Sequence, residues 1–310
     1  MPVDAALDRL ATRDGITTLR ILHRGKVVHT AGPQNLPMPI HSMRKSIVSA
    51  LFGRLVDDGL RLDTTLSDLG IDDSPELTST ERSATLEDLL TSSSGVYLPL
   101  RFDTSFDVFT NAPTNWPTRG SSTPGSRFLY NNWDFNVLGE IYQRVSGTAL
   151  FIAFDRLIAQ PLGFRDWDAL KHSHLRYGYD PLGATTRFPN YGMEVSARDL
   201  AAFGQLYLDE GCLRGDQLLS PDWVRRSTRP VVQTGLPQPF AHYGYLWWVS
   251  AGGDRSLPAG SFSAVGLGGQ SLSVVPSHEL VIVATNDGSE GGSNQMGISD
   301  TVMRAILGDS

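Results

Sequence analysis

Strand-like sequence lies at both ends of this chain, and helical sequence fills the middle. Near the N-terminus, Leu19-Arg20-Ile21-Leu22 and Val27-Val28-His29-Thr30 are β-rich runs. Arg24-Gly25-Lys26 sits between them as a hairpin turn. Strand character returns only at 245–250, 271–275 and 280–285, with Pro276-Ser277-His278-Glu279 turning the last pair. A sheet assembled from both chain ends, with a helical insertion between, fits this order best. The expected fold class is therefore α+β, an α/β sandwich.

Helical spacing marks the middle of the chain. Ile47, Val48, Leu51, Phe52, Leu55 and Val56 recur along a helix that Ser42 opens and Gly59 stops. It is apolar enough to be buried, so its N-terminal end presents Ser42 from a rigid element. Residues 85–90 form a short helix followed by a Ser/Gly turn. Residues 99–127 lack a period and read as a long surface loop. A helix over 133–145 carries Phe135, Leu138, Ile141, Tyr142 and Val145 on one face and ends at Gly147. Another runs over 149–159 and stops before Pro161. A third, over 197–210, has Ser196 as its cap. Short helices are expected at 1–14 and 299–307.

Composition narrows the function classes. The 310 residues make one large domain or two intimate lobes, 40% hydrophobic and 19% charged. A net charge of −7 argues against a nucleic-acid or anionic-membrane surface. No run approaches the ~18 apolar residues of a membrane span. Met1-Pro2-Val3-Asp4 has no signal-peptide pattern, and Cys212 is the single cysteine, so no internal disulfide forms. The expected location is cytoplasmic.

The chain has 23 arginines but three lysines, Lys26, Lys45 and Lys171. Lys45 stands directly beside Arg44, in Ser42-Met43-Arg44-Lys45. Arginine does not lose its proton in a protein, whereas a desolvated lysine can become a neutral base. Positions i and i+3 share a helix face, so the amine can reach the Ser42 hydroxyl. An activated serine nucleophile needs that arrangement. The competing reading of Lys45 is a solvated helix charge.

Tyr130-Asn131-Asn132 follows the turn signal Pro124-Gly125 and precedes a helix. A tyrosine there can relay protons, and Asn132 can hold a substrate amide or orient a lysine. The competing reading has Tyr130 packed in the core and Asn132 capping the helix. Gly266-Leu267-Gly268-Gly269-Gln270 leads into a strand and lacks nucleotide-loop spacing, so it marks a bulge or a close backbone approach. His172 and His174 read as solvated loop residues, and His41 as a loop residue. There is no His-Glu-x-x-His, Gly-x-Ser-x-Gly or P-loop.

Ser42-x-x-Lys45, Tyr130-x-Asn132 and the Gly-rich strand entry near 261–270 resemble the class C β-lactamase and penicillin-binding-protein family of serine hydrolases. The segment from Thr85 to Thr91 with Ser94-Gly95 is similar to the family's stretch between its first two motifs. So are Gln160-Pro161-Leu162-Gly163-Phe164 and Ser196-Ala197-Arg198-Asp199-Leu200. The resemblance runs from about residue 19 to the C-terminus. It implies a β-lactamase/transpeptidase-like fold, with a discontinuous sheet lobe (1–66 and 237–310), a mainly helical lobe (67–236) and an active site between them. It implies Ser42 as nucleophile, Lys45 as its activating neighbour, Tyr130 as second base or proton relay, and Asn132 as a substrate and lysine contact. Which of Lys45 and Tyr130 is the resting base stays open.

The chain departs from the family at its third motif, usually Lys-Thr-Gly or His-Thr-Gly. Ungapped counting from Pro276 puts that place at Ser261-Phe262-Ser263, and a short gap moves it toward Val265-Gly266. Neither carries a lysine or histidine. The strand can still supply an oxyanion N–H, expected at Ala264 and paired with that of Ser42. The expected activity is hydrolysis of a small ester or amide, with weak or no β-lactamase activity. Acyl transfer from the same acyl-enzyme, or an idle binding protein on this fold, are the alternatives. No metal or organic cofactor is implied, and the oligomeric state is open.

Overall fold

The computed structural model describes residues 7, 16–98, 116–176, 186–253 and 257–287. The helix expected at 1–14 (apart from Leu7), most of the loop at 99–127 and the helix expected at 299–307 lie outside them. The strands are β1 (Thr18–His23), β2 (Lys26–Ala31), β3 (Met38–Pro39), β4 (Ser173–Arg176), β5 (Asn190–Val195), β6 (Cys212–Leu213), β7 (Asp216–Gln217), β8 (Val232–Gln233), β9 (His242–Tyr243), β10 (Trp248–Val249), β11 (Phe262–Gly266), β12 (Gln270–Val275) and β13 (Leu280–Thr285). The helices used below are α1 (Arg44–Asp57), α2 (Ser79–Arg82), α3 (Leu86–Leu90), α4 (Asn132–Ser146), α5 (Leu150–Phe154), α6 (Gln160–Leu162), α7 (Ala197–Leu208) and α8 (Pro221–Ser227).

Both chain ends build one antiparallel sheet, in the order β2-β1-β13-β12-β11-β10-β9-β8. The N-terminal hairpin joins the C-terminal one where β1 pairs with β13, Ile21 opposite Ile282 and Leu19 opposite Ala284. Strand alternation sends these four side chains to one face, where they form a small core with Leu7, Leu257, Val275 and Leu280. Leu272, Val274, Val281 and Val283 point to the other face and join the main core with α1 and α7. Helix α7 lies on β1, β12 and β13. Its Gly204 makes close approach possible, because a Cβ there would stand 2.6 Å from both Leu272 and Val281 side chains.

Several elements depart from their sequence signals. The Phe-Ser-Ala-Val-Gly run of β11 shows no alternation because all five residues are buried. A strand covered on both faces carries no period-two pattern. The strand expected over 245–250 shrinks to Trp248–Val249, because Leu246 takes a left-handed φ of 64° and bonds to Leu90 instead. The helix expected to stop before Pro161 continues to Leu162. A π-type stretch at Asp155–Ala159 shifts the hydrogen-bond register, and the proline then sits in the first turn of α6, where its missing N–H is tolerated. The middle of the chain also holds two strands, β4 and β5, which form a small sheet with Met38–Pro39 in the order β3-β5-β4.

Candidate active site

The first ten residues of α1, 44–53, are buried. A helix covered on all sides sits in a core, and this one packs against α4, β11 and α8. A single 3₁₀ turn, His41–Met43, precedes it, and Ser42 lies in that turn. Entry to the turn is strained, since His41 holds φ 47° without being glycine. Ser42 is half-buried at the surface of this rigid element, and Lys45 is 2% exposed within it.

The i,i+3 geometry brings the two side chains together. Lys45 Nζ donates to Ser42 Oγ at 2.7 Å and to Tyr130 Oη at 2.6 Å. The amine also lies 4.3 Å from the ring centroids of Tyr130 and Phe135. Hydroxyl, amine and phenol thus form one chain through which a proton can pass between Ser42 and Tyr130. The structure brings these three predicted residues together and places Asn132 close by, as the half-buried first residue of α4. The cap of α4 is Asn131, whose side chain accepts from Trp133 N–H. Asn132 is therefore not the capping residue.

Tyr130 has an aromatic setting. Its ring stacks on Trp248 at 5.5 Å between centroids and meets Phe135 at 4.9 Å. Tyr243 stands edge-on at 6.4 Å, and Phe128 and Phe240 pack against Trp248. Burial, with Tyr130 as a further cause, holds the Tyr243 hydroxyl well above the usual tyrosine range. Tyr243 therefore stays protonated at neutral pH. Other aromatic residues stay in the core: Trp133 is fully buried and donates to Asp73. Tyr97 packs edge-on against Trp116.

The loop from Thr91 to Gly95 fixes the segment that carries Tyr130. Ser92 bonds to both Leu129 and Asn131, and Ser94 Oγ donates to Asp134 at 2.6 Å. Asn131 Nδ2 donates to Val96 O at 2.7 Å and to Asp134 at 3.2 Å. Ser94 belongs to a stretch that carries the resemblance, but for Ser92 the only sequence signal is a run of three serines between helices.

Strand β11 ends beside the Ser42 turn. A Cβ on Gly266 would lie 2.4 Å from Ile40 O, so only glycine fits there without a shift. The Gly-rich segment is the tight turn from β11 to β12, with Gly268 and Gly269 at φ 80° and 87°. It is pinned where Gln270 exchanges hydrogen bonds with the Asn286 backbone. The register corrects the expectation for Ala264. Ser250 N–H donates to Ser261 O, so the backbones of Ser261, Ser263 and Val265 face β10. Ala264, opposite Leu272, turns its amide into the β12 ladder. Val265, the next residue along the strand, directs its amide to the other side, past the end of β10. Leu267 is 43% exposed at the turn, and no cation stands along β11.

Two sequence stretches that carry the resemblance meet in space. Asp199 accepts from the amides of Arg165 and Asp166, while Ser196 and Arg198 bond to the Asp166 carboxylate. The histidines are less solvated than their sequence suggests. His174 pairs with Glu194 at 3.1 Å, and His172 Nδ1 accepts from Asp168 N–H. No group of side chains suited to hold a metal ion occurs among the described residues. Nor, among them, is any helix long and apolar enough to cross a membrane.

Fold and site together define a β-lactamase/transpeptidase-like protein. The beta-lactamase family profile matches residues 3–297, and the chain belongs to that family. A 6-aminohexanoate-dimer hydrolase of Paenarthrobacter ureafaciens is 29% identical over 172 residues. An uncharacterized protein of Alkalihalophilus pseudofirmus is 28% identical over 206 residues. The matches cover 53% and 60% of this chain, and 40% and 61% of those relatives. Among solved structures, a putative beta-lactamase from Bacteroides dorei superposes with a TM-score of 0.73 at 17% identity, covering 99% of this chain and 98% of that one. An octameric penicillin-binding protein homologue from Pyrococcus abyssi gives 0.72 at 18%, covering 99% and 77%. At such identities the superpositions establish the fold alone.

Proposed function

We propose that the protein is a serine hydrolase that cleaves a small ester or amide through an acyl-enzyme on Ser42. The observation that carries this reading is the pair of short hydrogen bonds from Lys45 Nζ, to Ser42 Oγ and to Tyr130 Oη. Ser42 Oγ attacks the substrate carbonyl while its proton passes to the Lys45–Tyr130 pair. The developing oxyanion takes hydrogen bonds from backbone amides. One is that of Ser42, which precedes the first intrahelical bond of its turn, Met43 N–H to Ile40 O. The other comes from the outward side of the β11 end, at Val265. Tyr130 then protonates the leaving group, and water, deprotonated by the same pair, releases the acyl group. Asn132 contacts the substrate and Lys45.

Kinship with a 6-aminohexanoate-dimer hydrolase supports hydrolysis, and the residues along β11 bear on the substrate. A β-lactam carboxylate would find no lysine, arginine or histidine among residues 261–270. Ester or simple amide substrates suit this site better. The test is a panel of short-chain nitrophenyl esters, linear amides and a chromogenic cephalosporin, run beside Ser42→Ala. Ester or amide turnover that disappears in the variant, with slower cephalosporin turnover, is expected. A cephalosporin rate matching the best ester or amide rate contradicts the substrate assignment.

A further inference from the structure

We infer that Ser92 is a positioning residue that sets the Tyr130 hydroxyl on Lys45, an inference that rests on the acyl-enzyme reading above. Ser92 makes three hydrogen bonds to the residues flanking Tyr130. Its carbonyl accepts from Leu129 N–H at 2.9 Å, its Oγ–H donates to Leu129 O at 2.6 Å, and its Oγ accepts from Asn131 N–H at 3.1 Å. One short side chain therefore holds the backbone on both sides of the tyrosine. Ser92 is fully buried, so water does not replace these bonds.

Ser92 is itself fixed from behind. Its N–H donates to Leu89 O at the end of α3, and its neighbour Thr91 bonds back to Glu87 O at 2.7 Å. Helix α3 is closed at its start by a Thr85–Asp88 capping box and packs against α4. The backbone of Ser92 sits at φ 54°, a conformation that favours glycine. Serine at this position costs backbone strain yet supplies a hydroxyl that glycine lacks. Strain tolerated at a residue bonded to the backbone on both sides of Tyr130 points to a role for its hydroxyl.

The clamp matters because the Tyr130 ring alone does not fix its hydroxyl. Stacking on Trp248 restrains the ring plane, but a slide along that plane would keep the stack. Such a slide would lengthen the 2.6 Å bond to Lys45. Displacement of about 1 Å in a reacting constellation can cost roughly a hundredfold in rate. The loss should appear in turnover, because no atom of Ser92 needs to touch the substrate.

A double-mutant cycle tests this with Ser92→Ala, Tyr130→Phe and the pair. Ser92→Ala is expected to lower kcat roughly ten- to a hundredfold, with KM changed less than about threefold. Its pH–rate profile is expected to shift, because parting Lys45 from Tyr130 changes the hydrogen bonding of both. In the Tyr130→Phe background the same change is expected to lower kcat less than about threefold, since the hydroxyl it positions is gone. Equal kcat losses in both backgrounds, or an unchanged kcat and pH profile in folded Ser92→Ala, overturn the proposal. Ser92→Gly removes the same hydroxyl while relieving the backbone, and it carries the test if the alanine variant fails to fold. Wild-type turnover in Tyr130→Phe would instead defeat the function reading itself, so the two failures are distinguishable.

Discussion

Lys45 Nζ lies 2.6 Å from Tyr130 Oη, although 85 residues separate the two in sequence. The bond joins the start of a buried helix to a loop that is held by a different helix pair. It gives a proton a direct path between amine and phenol, and the role proposed for Ser42 depends on it.

Lys45→Arg keeps the positive charge but removes the capacity to become neutral. We expect kcat to fall by ~10²–10⁴-fold, the usual range for losing a positioned general base. The guanidinium must also fit a site 2% exposed between the Tyr130 and Phe135 rings, so thermal melting accompanies the assay. Near-wild-type turnover in a folded variant would remove Lys45 from the mechanism.

Tyr130→Phe deletes one oxygen and preserves the ring that stacks on Trp248 and meets Phe135 at a tilt. The expected outcome is a kcat loss of about 10²-fold or more with little change in Tm. A large fall in Tm with unchanged turnover would recast Tyr130 as a packing residue.

Gly266→Ala places a methyl group 2.4 Å from the carbonyl oxygen of Ile40, a backbone atom that cannot swing aside. The turn bearing Ser42 must shift instead. Overpacking of this kind costs about 1–3 kcal/mol, and the shift moves the nucleophile from its proton acceptors. Measured kcat should fall by more than tenfold, roughly, while KM moves less. Unchanged kcat would show that β11 is not held against the nucleophile.

Stability in acid should depend on Glu81. Burial alone would raise its carboxyl, but paired hydrogen bonds from Arg119 and the Thr78 amide outweigh burial and hold it below the ordinary value of 4.5. A carboxylate lowered on folding adds stability above its unfolded pKa, and that stability is lost as pH falls through the folded value. Glu81→Gln should therefore lower Tm at pH 7, with the gap to wild type narrowing below about pH 4. Melting curves that stay parallel from pH 7 to pH 3 would contradict this.

Much of the site was legible because local rules fix it. The i,i+3 relation of Ser42 and Lys45 is a helix property, and Tyr130 stands out beside a turn and a helix start. The remainder depends on tertiary structure. Strand β11 hides because both its faces are covered. The direction of the Ala264 amide follows only from pairing with β10 and β12. Pro161 looked like a stop because nothing in the sequence announces the π-type turn before it. Ser92 reads as one serine in a run, and its function emerges only when Leu129 and Asn131 fold onto it. The sheet from both chain ends was readable because hairpin signals lie at each end, whereas in the small β3-β5-β4 sheet only β5 shows a period, with Tyr191, Met193 and Val195 buried in alternation, and its partners are two and four residues long.

The central claim is a nucleophilic Ser42, and covalent capture tests it most directly. Intact-mass and peptide-mass measurement after treatment with a fluorophosphonate should show one adduct, on the peptide containing Ser42, and no adduct in Ser42→Ala. Failure of the wild-type protein to react, or labelling that persists in Ser42→Ala, would contradict the account.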